Sequence, residues 1–556
     1  MLEALNFPGQ FIGWIMECIS TPSFSLIING GLHYFFKGKR GIRQEDPISP
    51  LMFVLVMEYL SRLLKKVGGL RKFKFHQGCK KLGLTHLVFA DDLMLFGHGD
   101  KQSFSLLIGA LKTFEKVSGL IANSEKTVVY FGSMEDSMKQ EILGNTGFIV
   151  GSFPFRYIGI PLNAKYMRIS DFDSIIDKML ARITCWSSRN LSYNARITLI
   201  NSVLISLHTY WAQCILMPKG VIQRITQLCR AFLWNGSAVL GGAPPIAWDW
   251  VCKPKRFGGL GIRDCNRWNK GALGKYVWKI AKKEDSLWAY SPNRSDGWAW
   301  RRLCSVKTDL QQGFEAGNWT SRKYKISECY TWLQGAQTKV IWDKWVWNRF
   351  NSPKHTFISW LAVQERLKTI DRLSSFGCNL DTRCLLCGAA SESHKHLIFY
   401  CPYCLKTVTT WLGFSEKHFN LIASWKHCYR QGNDLVQRKI FGATLAACVY
   451  YVWFARNHAL WEKAVILPRQ LCKSIYLEVI RLCSCVTEQQ GFWSVFSLIL
   501  LTVSVSVRAL LCVAGSVLVL MSSCGAVILI YEMLRICFCG PGVRPGAVGC
   551  CSFLLV

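Results

Sequence analysis

Leu87-Val88-Phe89-Ala90-Asp91-Asp92-Leu93-Met94-Leu95-Phe96 is two apolar arms around a pair of adjacent carboxylates. The pattern predicts a β-hairpin with Asp91 and Asp92 at its tip. A tight turn on buried strands holds its side chains outward on a rigid base, and two oxygen-rich groups held that way suit hard cations and phosphate chemistry. Asp is also an ordinary turn residue, and an isolated Asp-Asp pair more often marks a turn than a metal site. The residues on either side therefore decide the reading.

Upstream lies a polar, Pro-punctuated loop, Gly41-Ile42-Arg43-Gln44-Glu45-Asp46-Pro47-Ile48-Ser49-Pro50. Beyond it Leu51, Phe53, Val54, Met57, Leu60 and Leu64 recur at helical spacing, with Ser49 placed as an N-cap and Pro50 at the first helical position. Helices are also predicted around Phe11–Cys18 and Phe104–Val117, packed on short antiparallel strands, so the fold class is α+β. A loop that brings Arg43 and Gln44 into a capped helix, followed by an acidic hairpin, resembles the palm of a reverse transcriptase. More narrowly it is similar to the plant LINE-class non-LTR retrotransposon polyprotein. Asn29-Gly30, Arg43-Gln44, Asp46-Pro47, Ser49-Pro50, Phe89-Ala90-Asp91-Asp92, Ser118-Gly119-Leu120 with Asn123 and Lys126, and Tyr157-Ile158-Gly159 with Pro161-Leu162 follow in that family's order. Leu191-Ser192 and Pro254-Lys255 with Gly258-Gly259-Leu260-Gly261 continue the match, which runs from about Met1 to Glu462.

The resemblance implies an RNA-directed DNA polymerase acting on an RNA template and a DNA primer. In a two-metal polymerase, carboxylates hold a pair of Mg²⁺ ions that activate the primer 3′-oxygen and stabilise the leaving pyrophosphate. Asp91 would be the principal ligand and Asp92 the weaker partner, while Arg43 and Gln44 would position template and nucleotide. Lys126 would neutralise developing phosphate charge, or else is a solvated surface lysine. The family carries a further aspartate on a strand ahead of the segment resembling Leu5-Asn6-Phe7-Pro8, and Glu3 is no counterpart to it. The expectation is thus a fragment defective in catalysis, without the family's endonuclease. Glu45 and Asn194 stand where the family usually has Gly. At Glu45 a required positive φ would be strained and the charge would face a polyanion.

The domains read as a partial palm over 1–165, a mainly helical thumb and connection over 166–325, a zinc-binding domain over 326–414, a helical extension over 415–490 and a hydrophobic tail over 491–556. Predicted helices in the second region are Phe172–Cys185, Ala195–Trp211 and Val221–Trp234. Lys253-Pro254-Lys255-Arg256-Phe257-Gly258-Gly259 either tracks phosphates or forms an ordinary loop. Cys384, Cys387, His396 and Cys401 follow Cys-x₂-Cys-x₈-His-x₄-Cys, a spacing that closes a tetrahedral, structural Zn²⁺ site. Cys378, His394 and Cys404 are nearby substitutes, and buried free thiols are the alternative. The stretch Glu392–Cys401 looks like the zinc-binding domain that follows plant LINE reverse transcriptases. Four protein ligands leave no open position, so gripping RNA or DNA is the expected role. Farther on, a helix over Ala443–Trp461 carries Trp453, Arg456 and Asn457, to which the sequence assigns no function.

Composition fits a polyanion partner: 67 Lys and Arg against 35 Asp and Glu give a formal charge of +32, and 22 Trp with 32 Phe offer flat stacking surfaces. The 25 cysteines lack the short secreted context of a disulfide framework, which points to the nucleus or cytoplasm. In the tail, 509–531 holds no charged residue and is long enough to span a bilayer, although its abrupt change of composition reads better as a degenerate reading frame. Three functional classes stay open: a reverse transcriptase fragment, a non-catalytic RNA- or DNA-binding remnant, and a membrane-anchored protein.

Overall fold

The computed structural model describes residues 2–38, 45–132, 134–162, 166–282, 297–317, 319–375, 377, 381–404, 420–432 and 434–487. These divide into two compact units, the first ending at Met167 and the second starting at Arg168.

In the first unit α1 (Gly9–Ser20) precedes a hairpin of β1 (Ser23–Ile28) and β2 (Gly31–Lys37), turned at Asn29-Gly30 with positive φ at both residues. That sign pattern is the type I′ turn, whose twist matches the flanking strands. Helix α2 (Ser49–Gly68) is followed by β3 (His86–Phe89) and β4 (Asp92–Leu95), then by α3 (Lys101–Ser118). Leu60, Leu64 and Val67 of α2 bury against Leu107, Ala110, Leu111 and Phe114 of α3, with Phe73 between, and Leu93 and Leu95 pack on this core. Asp100 caps α3 by accepting from the Ser103 amide at 2.8 Å, and Gly119 ends it at φ 72°.

Two local expectations shift. Ser49 is the first residue of α2 and not its cap: Ile48 takes that position, and the Asp46 side chain accepts the Ile48 amide instead. The apolar stripe is also shorter than its periodicity, because Leu51 and Val54 lie on the exposed side of the first turns. The expected antiparallel strands form three separate hairpins rather than one continuous sheet, the third being β7 (Phe155–Tyr157) with β8 (Ile160–Leu162). The remaining pair, β5 (Val128–Val129) and β6 (Ile149–Val150), is parallel. Helix α4 (Asp136–Thr146) supplies the crossover that a parallel connection requires.

The second unit is helical. Its elements are α5 (Asp173–Ser187), α6 (Tyr193–Leu199), a π-turn at Ile200–Leu204, α7 (Ile205–Cys214), α8 (Lys219–Asn235), α9 (Trp248–Val251), α10 (Cys265–Lys282), α11 (Trp298–Gly317) and α12 (Ile326–Leu333). They continue with α13 (Asp343–Val346), α14 (Pro353–Val363), α15 (Ile370–Ser374), α16 (Leu421–Gln431), α17 (Leu435–Trp461) and α18 (Pro468–Thr487). Buried Asn269 on α10 spends its whole amide on the end of α7, accepting from Met217 and donating to the Ala212 and Ile215 carbonyls. A buried amide so satisfied fixes register as well as proximity.

The basic loop after α9 is tightly self-bonded. The amides of Gly258, Gly259, Leu260 and Gly261 donate to the carbonyls of Lys255, Pro254, Val251 and Lys253. The Gly258 carbonyl accepts two indole N–H groups, from Trp250 at 3.0 Å and Trp360 at 2.8 Å. A Cβ on Gly259 would meet the Lys253 carbonyl oxygen at 2.0 Å, so only glycine fits. Among the described residues no helix is long and apolar enough to cross a membrane, and the stretch 509–531 lies outside those residues.

Candidate metal centre and acidic hairpin

The acidic hairpin forms as its alternation predicts. Strands β3 and β4 pair from His86↔Leu95 to Phe89↔Asp92, which leaves Ala90 and Asp91 as a two-residue turn. Ala90 has φ 50°, while Asp91 is not among the positive-φ residues, the sign pattern of a type II′ hairpin turn. A non-glycine residue held at positive φ is strained backbone of the kind that collects at functional sites. Asp91 occupies the tip and Asp92 opens β4, both exposed. Leu93 and Leu95 anchor this strand on the α2–α3 core, so the carboxylates stand on a fixed base.

A second turn comes near them. Tyr157-Ile158-Gly159-Ile160 closes the β7–β8 hairpin with positive φ at Ile158 and Gly159, and the Tyr157 hydroxyl is raised by burial and by the negative charge of Asp92. Sequence reasoning had Tyr157 only as a motif residue, because 65 positions of chain separate it from Asp92.

The other residues expected from the sequence to serve a polymerase divide. Arg43 and Gln44 lie outside the described residues. Lys126 is exposed in a turn where its amide meets the Asn123 side chain, and no hydrogen bond or ion pair joins it to Asp91 or Asp92. Glu45 has φ 66°, the conformation for which the usual glycine is suited. Asn194 is different: it sits in α6, inside the first helical turn after the Ser192 cap, and needs no left-handed conformation. Among the described residues no third acidic, His or Cys side chain groups with Asp91 and Asp92.

Cys384, Cys387, His396 and Cys401 converge, with one ligand atom of each within 4.8 Å of the others. The knuckle folds because Gly388 adopts φ 67°, its amide donates to the Cys384 carbonyl and the Cys384 amide to that of Ala390. A short π-turn, His396–Tyr400, then supplies the other pair, with the Cys401 amide closing on the His396 carbonyl at 2.7 Å. The Cys384 and Cys401 sulfurs lie 3.9 Å apart, and Cys387 Sγ is 3.3 Å from His396 Nε2. Bond lengths of about 2.3 Å to sulfur and 2.0 Å to nitrogen, at tetrahedral angles, call for separations of about 3.8 and 3.5 Å. The donor set therefore fits Zn²⁺.

Cys384, Cys401 and His396 are held toward their neutral forms. The hydrogen bond with Cys401 and burial hold the Cys384 thiol well above its usual range, and burial lowers His396. The contact with Cys384 pulls Cys401 down, but Cys404 and burial outweigh it and push it up to about 12. Of the nearby substitutes, Cys404 is buried beside Cys401 without joining the four, His394 is buried elsewhere, and Cys378 lies outside the described residues.

The metal cluster shares its core with the two long C-terminal helices: Cys384, Leu386, Leu397 and Cys401 pack with Ala447, Cys448, Val452 and Ala455 of α17 and Leu471 and Ile475 of α18. Between the second and third ligands, Glu392 reaches α17. Its Oε1 accepts from Arg456 Nε at 2.9 Å, Arg456 Nη2 at 2.7 Å and the Ile370 amide at 3.0 Å. Sequence reasoning missed this clasp. Its signal was Arg456 falling on the buried stripe Leu445, Val449, Val452, Ala459, where an unpaired charge would be prohibitive.

Residues 1–162 match the family described as reverse transcriptase (RNA-dependent DNA polymerase), and residues 324–408 match zinc-binding in reverse transcriptase. A putative ribonuclease H protein of Arabidopsis thaliana is 32% identical over 129 residues, covering 23% of this chain and 21% of that protein. The retrovirus-related Pol polyprotein from type-2 retrotransposable element R2DM of Drosophila melanogaster is 27% identical over 276 residues, 47% of this chain and 24% of the relative. The Transposon TX1 uncharacterized 149 kDa protein of Xenopus laevis is 25% identical over 241 residues, 42% of this chain and 18% of the relative. The chain thus spans a quarter or less of the length of these relatives. An acidic hairpin on a helical base, followed in sequence by a closed Cys/His cluster, together with these matches, identifies a chain that carries a reverse transcriptase domain and a reverse-transcriptase zinc-binding domain.

Proposed function

We propose that the chain is part of the RNA-directed DNA polymerase of a plant LINE-class non-LTR retrotransposon, working in the nucleus or cytoplasm, and that as it stands it binds nucleic acid without extending a primer. In this reading Asp91 is the principal Mg²⁺ ligand and Asp92 its weaker partner. Arg43 and Gln44 position the RNA template and incoming nucleotide, and Lys126 meets phosphate charge. The observation that carries the proposal is the hairpin turn itself: two exposed carboxylates on a rigid base with no third ligand grouped beside them among the described residues. Two metals held for in-line displacement need more negative charge from directly coordinating side chains than this pair supplies. Glu45 at positive φ supports the non-catalytic reading, because a strained acidic residue in the loop before α2 favours neither folding nor a polyanionic template.

The zinc module in this reading holds RNA or DNA. All four of its metal positions are protein side chains, so the ion supplies folding energy and leaves no site for a substrate atom.

The test uses the purified chain, an RNA template, an annealed DNA primer and Mg²⁺. The expected result is binding that weakens steeply as salt rises, with no extension product. Robust extension overturns the catalytic part, and absence of any salt-dependent binding overturns the nucleic-acid part.

A further inference from the structure

A cavity of about 300 Å³ opens in the second unit between the start of α6, the loop after α8, α14 and α17. It belongs to neither the metal cluster nor the hairpin. On one side Tyr193 stacks on buried Phe357, with ring centroids 4.0 Å apart and planes 10° from parallel, and Trp234 lies 6.1 Å from Phe357. Trp453 lines it from α17, with the Arg456 guanidinium 5.2 Å from its ring. The lining is thus aromatic on two sides.

Its polar groups are arranged to leave one donor and one acceptor unspent. Asn457 uses its Oδ1 to accept from Arg456 Nη1 at 3.1 Å, which leaves its NH₂ group to donate. Asn235 uses its NH₂ to donate to the Val239 carbonyl at 3.2 Å, which leaves its Oδ1 to accept. At the rim, exposed Arg366 and Lys368 have no carboxylate within ion-pair distance among the described residues.

A cavity with aromatic side chains, a donor, an acceptor and two outlying cations matches one unstacked nucleotide: ring faces to the aromatics, polar edge to the amides, phosphates to the cations. The volume suits such a group, since small-ligand sites start at about 300 Å³. We propose that this cavity takes an unstacked base of a single-stranded polynucleotide, with Arg366 and Lys368 holding the flanking phosphates. The inference rests on the nucleic-acid reading above and names where in the chain a strand is gripped. It also gives Trp453 and Asn457 the role that their sequence context withholds.

The test measures binding of fluorescein-labelled oligo(U) and oligo(dT) by the full chain with its zinc, across a range of salt, and photo-crosslinks the same strands carrying 5-iodouracil. Trp453→Leu should weaken binding about ten-fold, within the range that one base–aromatic stack contributes. The surface double variant Arg366→Gln with Lys368→Gln, which disturbs no buried group, should lower the salt slope by about 1.4, or 0.7 per phosphate on a single strand. Crosslinked peptides should contain Tyr193, Trp234 or Trp453. A preference between the two strands identifies which polymer the slot takes. Unchanged affinity and slope in the rim variant, with crosslinks elsewhere, overturns the inference while leaving general nucleic-acid binding intact. A chain that binds no strand overturns both.

Discussion

Arg456 and Glu392, 64 residues apart, form an ion pair in which both side chains are almost wholly out of water, at 2% and 0% exposure. One is on the longest helix among the described residues and the other lies between Cys387 and His396, so this contact ties the Cys/His cluster to α17. The second carboxylate oxygen of Glu392 is buried with no hydrogen-bond partner.

Breaking the pair from one side should therefore be severe. Glu392→Gln or Arg456→Met leaves a buried charge unpaired, and each is expected to cost about 3–5 kcal/mol. The double variant Glu392→Gln with Arg456→Met should cost clearly less than the sum of the two. Chemical denaturation of the four proteins checks it, and additive losses would contradict the pairing.

Metal analysis should find one zinc per chain, and Co²⁺ substitution should give the visible spectrum of a tetrahedral thiolate site. Cys384→Ser or His396→Ala should lose the ion and loosen the core shared with α17 and α18, whereas Cys404→Ser should keep it. Retention of zinc by the His396 variant would assign the fourth ligand elsewhere.

Acid should weaken the second unit in a definite direction. Burial, with help from the Arg263 charge, holds His208 down at about 4, and burial holds His355 there as well despite Glu478 at 3.8 Å. An unfolded histidine takes its proton near pH 6.5, so between about 6.5 and 4 the unfolded chain binds protons that the folded one refuses. Stability is full above that window and falls as pH falls through it, by up to about 3 kcal/mol per histidine. His208→Leu should flatten the loss between pH 7.5 and 5 when both proteins are denatured at each pH. Parallel curves would rule His208 out.

Glu45 offers the opposite kind of change. A side chain at φ 66° costs about 1 kcal/mol, so Glu45→Gly should raise the stability of the first unit by about 0.5–1 kcal/mol. A lower melting temperature would mean that the glutamate makes a compensating contact.

What the sequence revealed and what it hid follow one physical line. The β3–β4 hairpin, α2 and the metal cluster depend on neighbours close in the chain: alternation, a proline at a helix start, a Cys-x₂-Cys turn. Even the strain at Glu45 was legible, because φ is a single-residue property. The clasp of Glu392 on Arg456 and the approach of Tyr157 to Asp92 join distant segments, so a local pattern marks at most one partner of each pair, as the buried stripe marks Arg456. The parallel β5–β6 pair was missed for the same reason, since strands of two residues carry no periodicity to read.

The Gly258–Gly261 turn has one remaining consequence for how the protein meets an anion. Main-chain anion nests work by aiming several free amides at one oxygen, and here all four amides are already committed to carbonyls of the same loop and of the end of α9. Any phosphate that comes to this segment is left with the ends of Lys255 and Arg256, exposed side chains that attract charge without reading shape. This corner of the molecule is thus built to brace tryptophans, and its grip on a polynucleotide would be indifferent to sequence and easily rinsed away by electrolyte.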